Sequence, residues 1–270
     1  MRLQVAHKTI YRFDRPIRGV VQSHRLTPSR FDGQTTLSWE VTVEGGSHGA
    51  GFRDGAGDLI DTVSVRGKVD ALTIGVSGVV DTVDLSGVLR GHRESVPPLV
   101  YLRRTRATRA DRAIDELARA AVAGRDNVLN QAHGLSQMVS ETVEYRPGET
   151  HAETTAAEAL AHGYGVCQDH AHVMVAVAIS AGIPARYVAG YLYSAAGDEM
   201  AEASHAWAEL YVPDLGWVGF DASNGCCPDE RYIRLGSGYD AQDAAPIRGV
   251  AHGAAEEQLD VDVSVQQVQQ

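Results

Sequence analysis

The pattern of apolar residues changes its period once along this chain, at Pro97 and Pro98. Before these prolines, short runs rich in Val, Thr, Ile and aromatic residues are interrupted by Gly, Pro or Asp, which is typical of antiparallel strands. After them, apolar residues recur three and four positions apart, as on one face of a helix. Two consecutive prolines cannot continue a ladder of strand hydrogen bonds. The sequence therefore predicts an α+β protein with an N-terminal antiparallel β-sandwich-like domain in residues 1–95 and a second domain in residues 96–270.

Local patterns predict the elements of each domain. Strands are predicted at 4–13, 35–43, 59–65 and 71–80, with turns at Asp54-Gly55 and Gly57-Asp58. Helices are predicted over 111–121, 128–139 and 156–162. A further helix begins at Cys167, and its nearly continuous small apolar residues indicate burial on most sides. Strands return at 186–193, 204–212 and 217–222, and alternating valines near the C-terminus favour an edge strand.

The charge balance and the cysteine count exclude several classes of protein. The chain has 24 basic and 35 acidic side chains, a formal net charge of −11, which repels the phosphates of nucleic acids. No apolar stretch reaches the length of a membrane helix, and Met1 leads directly into strand-like sequence without the apolar core of a signal peptide. Three cysteines, two of them adjacent, cannot form a disulfide scaffold. The sequence therefore predicts a cytoplasmic protein with neither a nucleic acid nor a membrane as partner.

Cys167 lies where a helix is expected to begin, two residues after Gly165. The positive end of a helix dipole lowers the pKa of a thiol and favours the nucleophilic thiolate. Gly163 and Gly165 permit backbone conformations closed to other residues and a close approach of substrate to the Cys167 amide, which could then donate to an oxyanion. From the residues alone, a buried structural cysteine is the favoured interpretation.

A predicted hairpin places a histidine and an aspartate on one surface. Side chains alternate between the faces of a strand, so His205, Trp207 and Glu209 share the outward face of the first strand. The same alternation places Asp221 on the outward face of the second strand, if the two strands pair through the turn at 213–216. Diagonal neighbours on such a face are about 7–8 Å apart, within side-chain reach. Asp221 could then fix the tautomer of His205 and leave its other nitrogen to accept the Cys167 proton.

Four sequence blocks resemble, in order, the successive motifs of the bacterial transglutaminase-like cysteine peptidase family. They are Gly163-Tyr164-Gly165-Val166-Cys167-Gln168-Asp169-His170-Ala171-His172, residues 182–191, His205-Ala206-Trp207-Ala208-Glu209, and Gly216-Trp217-Val218-Gly219-Phe220-Asp221. Residues 1–28 are similar to the β-rich N-terminal domain that accompanies this core, and residues 246–250 are similar to the closing segment of the family.

The resemblance implies a papain-like, transglutaminase-like cysteine-protease core in which a helix bundle packs on an antiparallel sheet. It also implies that Cys167 is the nucleophile, His205 the general base and acid, and Asp221 the residue that orients the histidine. Two departures concern substrate preference and loop geometry: Gln168 and His170 flank Asp169 where the family usually has Arg and an aromatic residue, and Asp221 is followed by Ala-Ser-Asn where the family has Pro-Thr-Asn.

For other residues near the motifs, a structural role and a functional role are both considered. Tyr164, Gly165 and Gln168 could line the acyl or oxyanion site, and Trp207 could shield the thiolate and imidazole or simply pack. Asp169 is expected to make structural hydrogen bonds. His170 and His172 do not share a helix face, so no metal site is predicted. Cys226 and Cys227 are expected to be free thiols, because adjacent cysteines rarely bridge without strain.

The predicted reaction is thiolate attack on an amide carbonyl, which forms a thioester and needs no cofactor. Hydrolysis of the thioester would make the protein a peptidase or amidase acting on a peptide, protein or small amide. Transfer to an amine would make it a protein-glutamine transglutaminase. The favoured prediction is hydrolysis, because no acidic cluster typical of a calcium site stands out. A catalytically idle peptide-binding module is the alternative from another class, and the sequence does not predict an oligomeric state.

Overall fold

The computed structural model describes residues 1–194, 204–253 and 255–268. The strands are β1 (Arg2–His24), β2 (Gln34–Val43), β3 (Ser47–His48), β4 (Phe52–Arg53), β5 (Leu59–Thr82), β6 (Glu144–Tyr145), β7 (Tyr164–Gly165), β8 (Ala185–Leu192), β9 (Ser204–Val212), β10 (Gly216–Phe220), β11 (Tyr232–Gly238), β12 (Ile247–Ala251) and β13 (Glu257–Gln267). The α-helices are α1 (Arg112–Val122), α2 (Val128–Thr142), α3 (Ala156–His162) and α4 (Cys167–Ser180), and a 3₁₀ helix spans Pro98–Leu102. The predicted α+β class is confirmed.

The first sheet is built on two long antiparallel strands, β1 and β5. Two predicted strands, at 59–65 and 71–80, are parts of the single strand β5, which pairs with β1 across register shifts between Arg12 and Gly19. Such irregularities bend a strand without ending its pairing, so one long strand resembles two short ones in the sequence. Strand β2 pairs with the other edge of β5.

The end of the chain completes this first sheet. Strand β12 pairs with residues 20–24 of β1, and β13 pairs with residues 3–13 of β1, both antiparallel. The C-terminal edge strand expected from the alternating valines is therefore present. The sheet takes strands from both sides of residue 96, so residues 1–95 do not complete it alone, and the domain division at that position stays a prediction.

The second sheet carries the candidate site and has the strand order β10-β9-β8-β11, all antiparallel. Helix α4 packs on this sheet, and every residue from Asp169 to Ile179 is buried, as the run of small apolar residues predicted. Helices α1, α2 and α3 pack against α4. Their first turns are capped by Asp111, Asn127 and Thr155, whose side chains accept hydrogen bonds from backbone amides.

A cluster of buried charges joins the two sheets. Glu209 on β9 accepts hydrogen bonds from Arg186 on β8 at 2.7 Å and from Arg234 on β11 at 2.8 Å. Arg234 also donates to Asp58, beside the start of β5, at 2.7 Å. These four side chains are 0–3% exposed. The predicted outward position of the β9 face that holds Glu209 is therefore wrong, because this polar face is covered by the first sheet and its neighbouring segments.

Among the described residues, no helix has both the length and the apolar character needed to cross a bilayer.

Candidate active site

Cys167 is the first residue of α4 and is half-buried. The carboxylate of Asp169 accepts a hydrogen bond from the Val166 amide at 2.8 Å and from the Thr150 hydroxyl at 2.7 Å, which fixes the start of the helix. The thiol packs against a small apolar cluster that includes Tyr187. Cys167 therefore combines a helix N-terminus with partial access to solvent, the environment in which thiols become nucleophilic.

His205 and Asp221 form a short, buried hydrogen bond. The distance from His205 Nε2 to Asp221 Oδ2 is 2.6 Å, and the two side chains are 6% and 1% exposed. Strands β9 and β10 pair with Phe220 opposite Ala208, so Asp221 follows the strand end as the diagonal neighbour of His205. The alternation of side chains along the hairpin predicted this juxtaposition, and the structure contains it.

His205 also lies within hydrogen-bonding reach of Cys167. Burial by itself would lower the pKa of His205, but its hydrogen bonds with Asp221 and Cys167, together with the charges of both, raise that pKa to about 10. Because Nε2 faces Asp221, Nδ1 is the ring nitrogen left for the thiol. The three side chains thus form one continuous series, in which the imidazole lies between the Cys167 sulfur and the anionic carboxylate of Asp221.

The carboxylate of Asp221 accepts hydrogen bonds from six donors. Its Oδ1 accepts from the Ser223 amide, the Ser223 hydroxyl and the Asn224 amide. Its Oδ2 accepts from His205, from Asn224 Nδ2 at 2.7 Å and from the Tyr232 hydroxyl at 2.8 Å. Burial would raise the pKa of this carboxyl, yet the hydrogen bond and charge of His205, followed by the other donors, hold it well below its usual range. Asp221 is therefore an anion at neutral pH.

The other residues singled out in the sequence lie around this series. Trp207 is 3% exposed, and its ring stacks near that of His205 with centroids 6.4 Å apart. Tyr164 is half-buried between the ring of His162 and the guanidinium of Arg146. Gln168 donates to the Ala152 carbonyl at 3.0 Å. Their predicted contacts with substrate stay predictions.

Position 165 has no room for a side chain, because Asp169 lies against its backbone. A Cβ atom at this position would lie 2.5 Å from the Cβ of Asp169, closer than nonbonded carbons tolerate. Gly163 ends α3 with a φ of 73°, in the left-handed region that favours glycine. The two glycines therefore fix the approach of the chain to Cys167.

The neighbouring histidines and cysteines are not members of the series formed by Cys167, His205 and Asp221. Both ring nitrogens of His170 face backbone carbonyls, at 2.9 and 2.8 Å. His172 instead accepts from the Ala241 amide. Cys226 and Cys227 are free thiols, and burial raises the pKa of Cys227 to about 11. In the described part of the chain, no three His, Cys, Asp or Glu side chains are grouped so that they could hold a metal ion.

Sequence reasoning missed three contributors to the Asp221 environment. Ser223 and Asn224 could have been found, because Ser and Asn two and three residues after Asp are typical of a loop that folds back on its carboxylate. Tyr232 begins β11, a strand that was not predicted, and no local pattern connects it with Asp221.

A half-exposed thiol at a helix N-terminus, facing an imidazole and a carboxylate on an antiparallel sheet, defines the papain-like cysteine-protease class of fold. Two family models match the chain: the transglutaminase-like superfamily core over residues 115–222 and the bacterial transglutaminase-like N-terminal region over residues 3–81. The chain is thus similar to transglutaminase-like proteins in its core and to their bacterial N-terminal region in its first sheet.

Individual proteins agree with this assignment. An uncharacterized protein of Mycobacterium leprae is 29% identical over 275 residues, covering 98% of each chain. A protein-glutamine gamma-glutamyltransferase of Pseudomonas aeruginosa is 36% identical over 75 residues, which cover 24% of this chain and 11% of that protein. The crystal structure of a proposed cysteine protease from Cytophaga hutchinsonii has a TM-score of 0.75 at 21% identity, covering 100% of this chain and 92% of that one. This last similarity concerns the fold.

Proposed function

We propose that the protein is a thiol-dependent acyl-transfer enzyme that hydrolyses a peptide or amide bond through a thioester on Cys167. The observation that carries the proposal is the unbroken series of contacts from Cys167 through His205 to Asp221. It supplies a nucleophile, a base within reach of it and an anion that orients the base.

The roles follow from the contacts of each group. The Cys167 thiolate attacks the carbonyl carbon, and the resulting oxyanion lies near the backbone amide at the start of α4, where the helix dipole favours negative charge. His205, protonated at Nδ1, gives its proton to the leaving amine as the C–N bond breaks. A water molecule then gives a proton to His205, attacks the thioester and releases a carboxylic acid. Asp221 remains ionised and keeps the ring in place.

Hydrolysis is supported by access to the sulfur, because Cys167 is half-buried and water can reach a thioester formed on it. The second candidate is transfer to an amine, since a segment of this chain is similar to a protein-glutamine gamma-glutamyltransferase. Both reactions share every step up to the thioester. They differ only in whether water or an amine attacks it.

Alkylation by iodoacetamide separates an active thiol from an idle binding module. We expect Cys167 to react far faster than Cys226 and Cys227 near neutral pH, because its sulfur lies beside His205 at a helix N-terminus, whereas burial raises the pKa of the other two thiols. The advantage should disappear in His205→Ala. Equally slow labelling of all three thiols in the folded protein would contradict the proposed enzyme.

Mass spectrometry identifies the reaction when a library of peptides and small amides has been incubated with the protein. Cleavage or deamidation that is absent with Cys167→Ala would support hydrolysis. Products joined to an added amine, again absent with Cys167→Ala, would instead support the transferase. Unchanged masses with both proteins across the library would count against both.

We also propose that the protein works in a reducing compartment, namely the cytoplasm. All three cysteines are free, and the proposed nucleophile acts only as a reduced thiol. Fractionation of cells with an antibody against the chain tests the location, and recovery outside the cytoplasm would contradict it.

A further inference from the structure

Tyr232 connects the candidate site to a strand that the family motifs do not include. Its side chain is buried, its hydroxyl donates to Asp221 Oδ2 at 2.8 Å, and the sulfur of Cys226 lies 3.4 Å from the same hydroxyl. We propose that Tyr232 is a positioning residue, whose hydroxyl holds the carboxylate of Asp221 in line with the ring of His205. The proposal rests on the function proposed above, since it concerns the orientation of the same base.

The origin of each donor shows why this hydroxyl differs from the others. Apart from His205, the remaining donors to Asp221 belong to Ser223 and Asn224, which are part of the same loop and move with it. Tyr232 belongs instead to a strand of the sheet. It is therefore the donor that fixes the carboxylate relative to a second element.

The sheet carries this constraint to His205. Tyr232 on β11 pairs with Leu192 on β8, and Gly190 on β8 pairs with His205 on β9. Tyr232 and His205 thus sit on strands that flank the same central strand. A hydrogen bond from Tyr232 to Asp221 then holds the acceptor at a fixed place relative to the imidazole, which is the requirement for an orienting anion.

Ring contacts hold the tyrosine itself in place. The Tyr232 ring meets the edge of the His205 ring at 5.9 Å and that of Trp207 at 5.5 Å between centroids. A cavity of about 460 Å³ beside α2 reaches Cys226. The Tyr232 hydroxyl does not line this cavity and faces Asp221 and the Cys226 sulfur.

The charges around this hydroxyl favour its role as a donor. Burial, and then the negative charge of Asp221, raise the pKa of Tyr232 far above its usual value, so it remains protonated. Cys226 is a thiol whose pKa is raised by burial. The guanidinium of Arg231 lies 5.9 Å from the Tyr232 ring and is paired with Asp229 at 2.8 Å. The other groups that face His205 are Asp221 and Cys167.

The test compares Tyr232→Phe with the matched control Tyr191→Phe. Tyr191 is also buried and belongs to the adjacent strand, but its hydroxyl bonds to His7, away from the triad. The measurement is the rate of Cys167 alkylation by iodoacetamide from about pH 5 to pH 9, where a free thiol would change from mostly protonated to ionised.

We expect Tyr232→Phe to lower the rate near the acid end by about tenfold or more, the size expected for one hydrogen bond to a charged group. The acid limb of the profile should move to higher pH, because a misaligned Asp221 stabilises the His205 imidazolium less. Tyr191→Phe should keep the wild-type profile. A purely structural loss would lower the thermal midpoint without moving the limb.

Each failure has its own signature. If wild-type Cys167 shows no advantage over Cys226 at any pH, the proposed function fails. If wild-type Cys167 shows the advantage and Tyr232→Phe retains the same rates and pH dependence, the positioning role is overturned. If Tyr232→Phe unfolds, proton NMR of the wild-type protein decides: a slowly exchanging Tyr232 hydroxyl with contacts to the His205 ring supports the role, and exchange at the solvent rate overturns it.

Discussion

Replacing Asp58 by Asn should destabilise the protein through the buried charges that join the two sheets. Arg234 donates to Asp58 Oδ1 at 2.7 Å, and the Ser237 amide donates to Oδ2 at 2.7 Å. The buried cluster contains the guanidinium groups of Arg186 and Arg234 and the carboxylates of Asp58 and Glu209, and Arg186 also pairs with Glu94 at 2.6 Å. Asparagine would remove one of the two carboxylates that pair with Arg234, leaving Glu209, and would direct an amide N–H at a group that can only donate.

The expected cost follows from the burial of both partners. Asp58 and Arg234 are 0% and 2% exposed, and removing one partner of such a pair costs about 3–5 kcal/mol. For a chain of this size each kcal/mol lowers the melting temperature by about 2–4 °C, so the variant should melt about 6–20 °C lower. Urea unfolding gives the free energy, and calorimetry gives the melting temperature.

The control is Asp260→Asn, which breaks the exposed pair between Arg12 and Asp260 at 3.1 Å. These side chains are 55% and 50% exposed, so the loss should be below about 1 kcal/mol. Equal free energies of unfolding for the two variants would refute the reasoning, because burial would then not decide the cost.

Acid pH gives an independent check on Asp58. Burial would raise its pKa, but the charges of Arg234 and Arg186 and its hydrogen bonds hold the pKa below its usual value. A carboxyl whose pKa is lowered by folding stabilises the protein at pH values above its ordinary pKa. That stability is lost as the pH falls through the pKa of the folded state. Asp58→Asn should therefore lose less stability than the wild type on acidification below about pH 4.

Two further predictions concern the site. Gly165→Ala should slow the alkylation of Cys167, because the added Cβ would lie 2.5 Å from the Cβ of Asp169 and displace the helix cap; an unchanged rate in the folded variant would contradict this. The raised pKa of His205, about 10, implies a stabilising contribution that is complete below pH 6.5 and lost as the pH rises through about 10. The difference in unfolding free energy between the wild type and Asp221→Asn should therefore shrink over that range, and a constant difference in urea titrations would count against the pairing.

Local patterns in the sequence predicted most of the elements around the site. The start of α4 at Cys167 was predicted from the glycines before it and the apolar run after it, and the structure has this start. The pairing of His205 with Asp221 was predicted from the alternation of side chains along one hairpin. Such inferences succeed because the periods of helices and strands and the geometry of a short turn depend on residues close together in the chain.

Contacts between distant segments could not be predicted in this way. The strand β13 was expected, but not its pairing with β1, which joins residues at opposite ends of the chain. The burial of Glu209 depends on two arginines from other strands, and its polar face alone indicated exposure.

The sequence by itself determined where the four α-helices and the strands of the β9–β10 hairpin lie and which side chains share a face, because backbone sterics and side-chain periodicity act over a few residues. The tertiary structure alone decided that Cys167 lies beside His205, that Tyr232 donates to Asp221 and that the polar face of β9 is buried. Tyr232 and Asp221 are 11 positions apart in the chain, and Cys167 and His205 are 38 positions apart. The free energy of such contacts comes from burying apolar surface and from pairing charges across the sheets. No pattern within a single element encodes which distant partner it will meet.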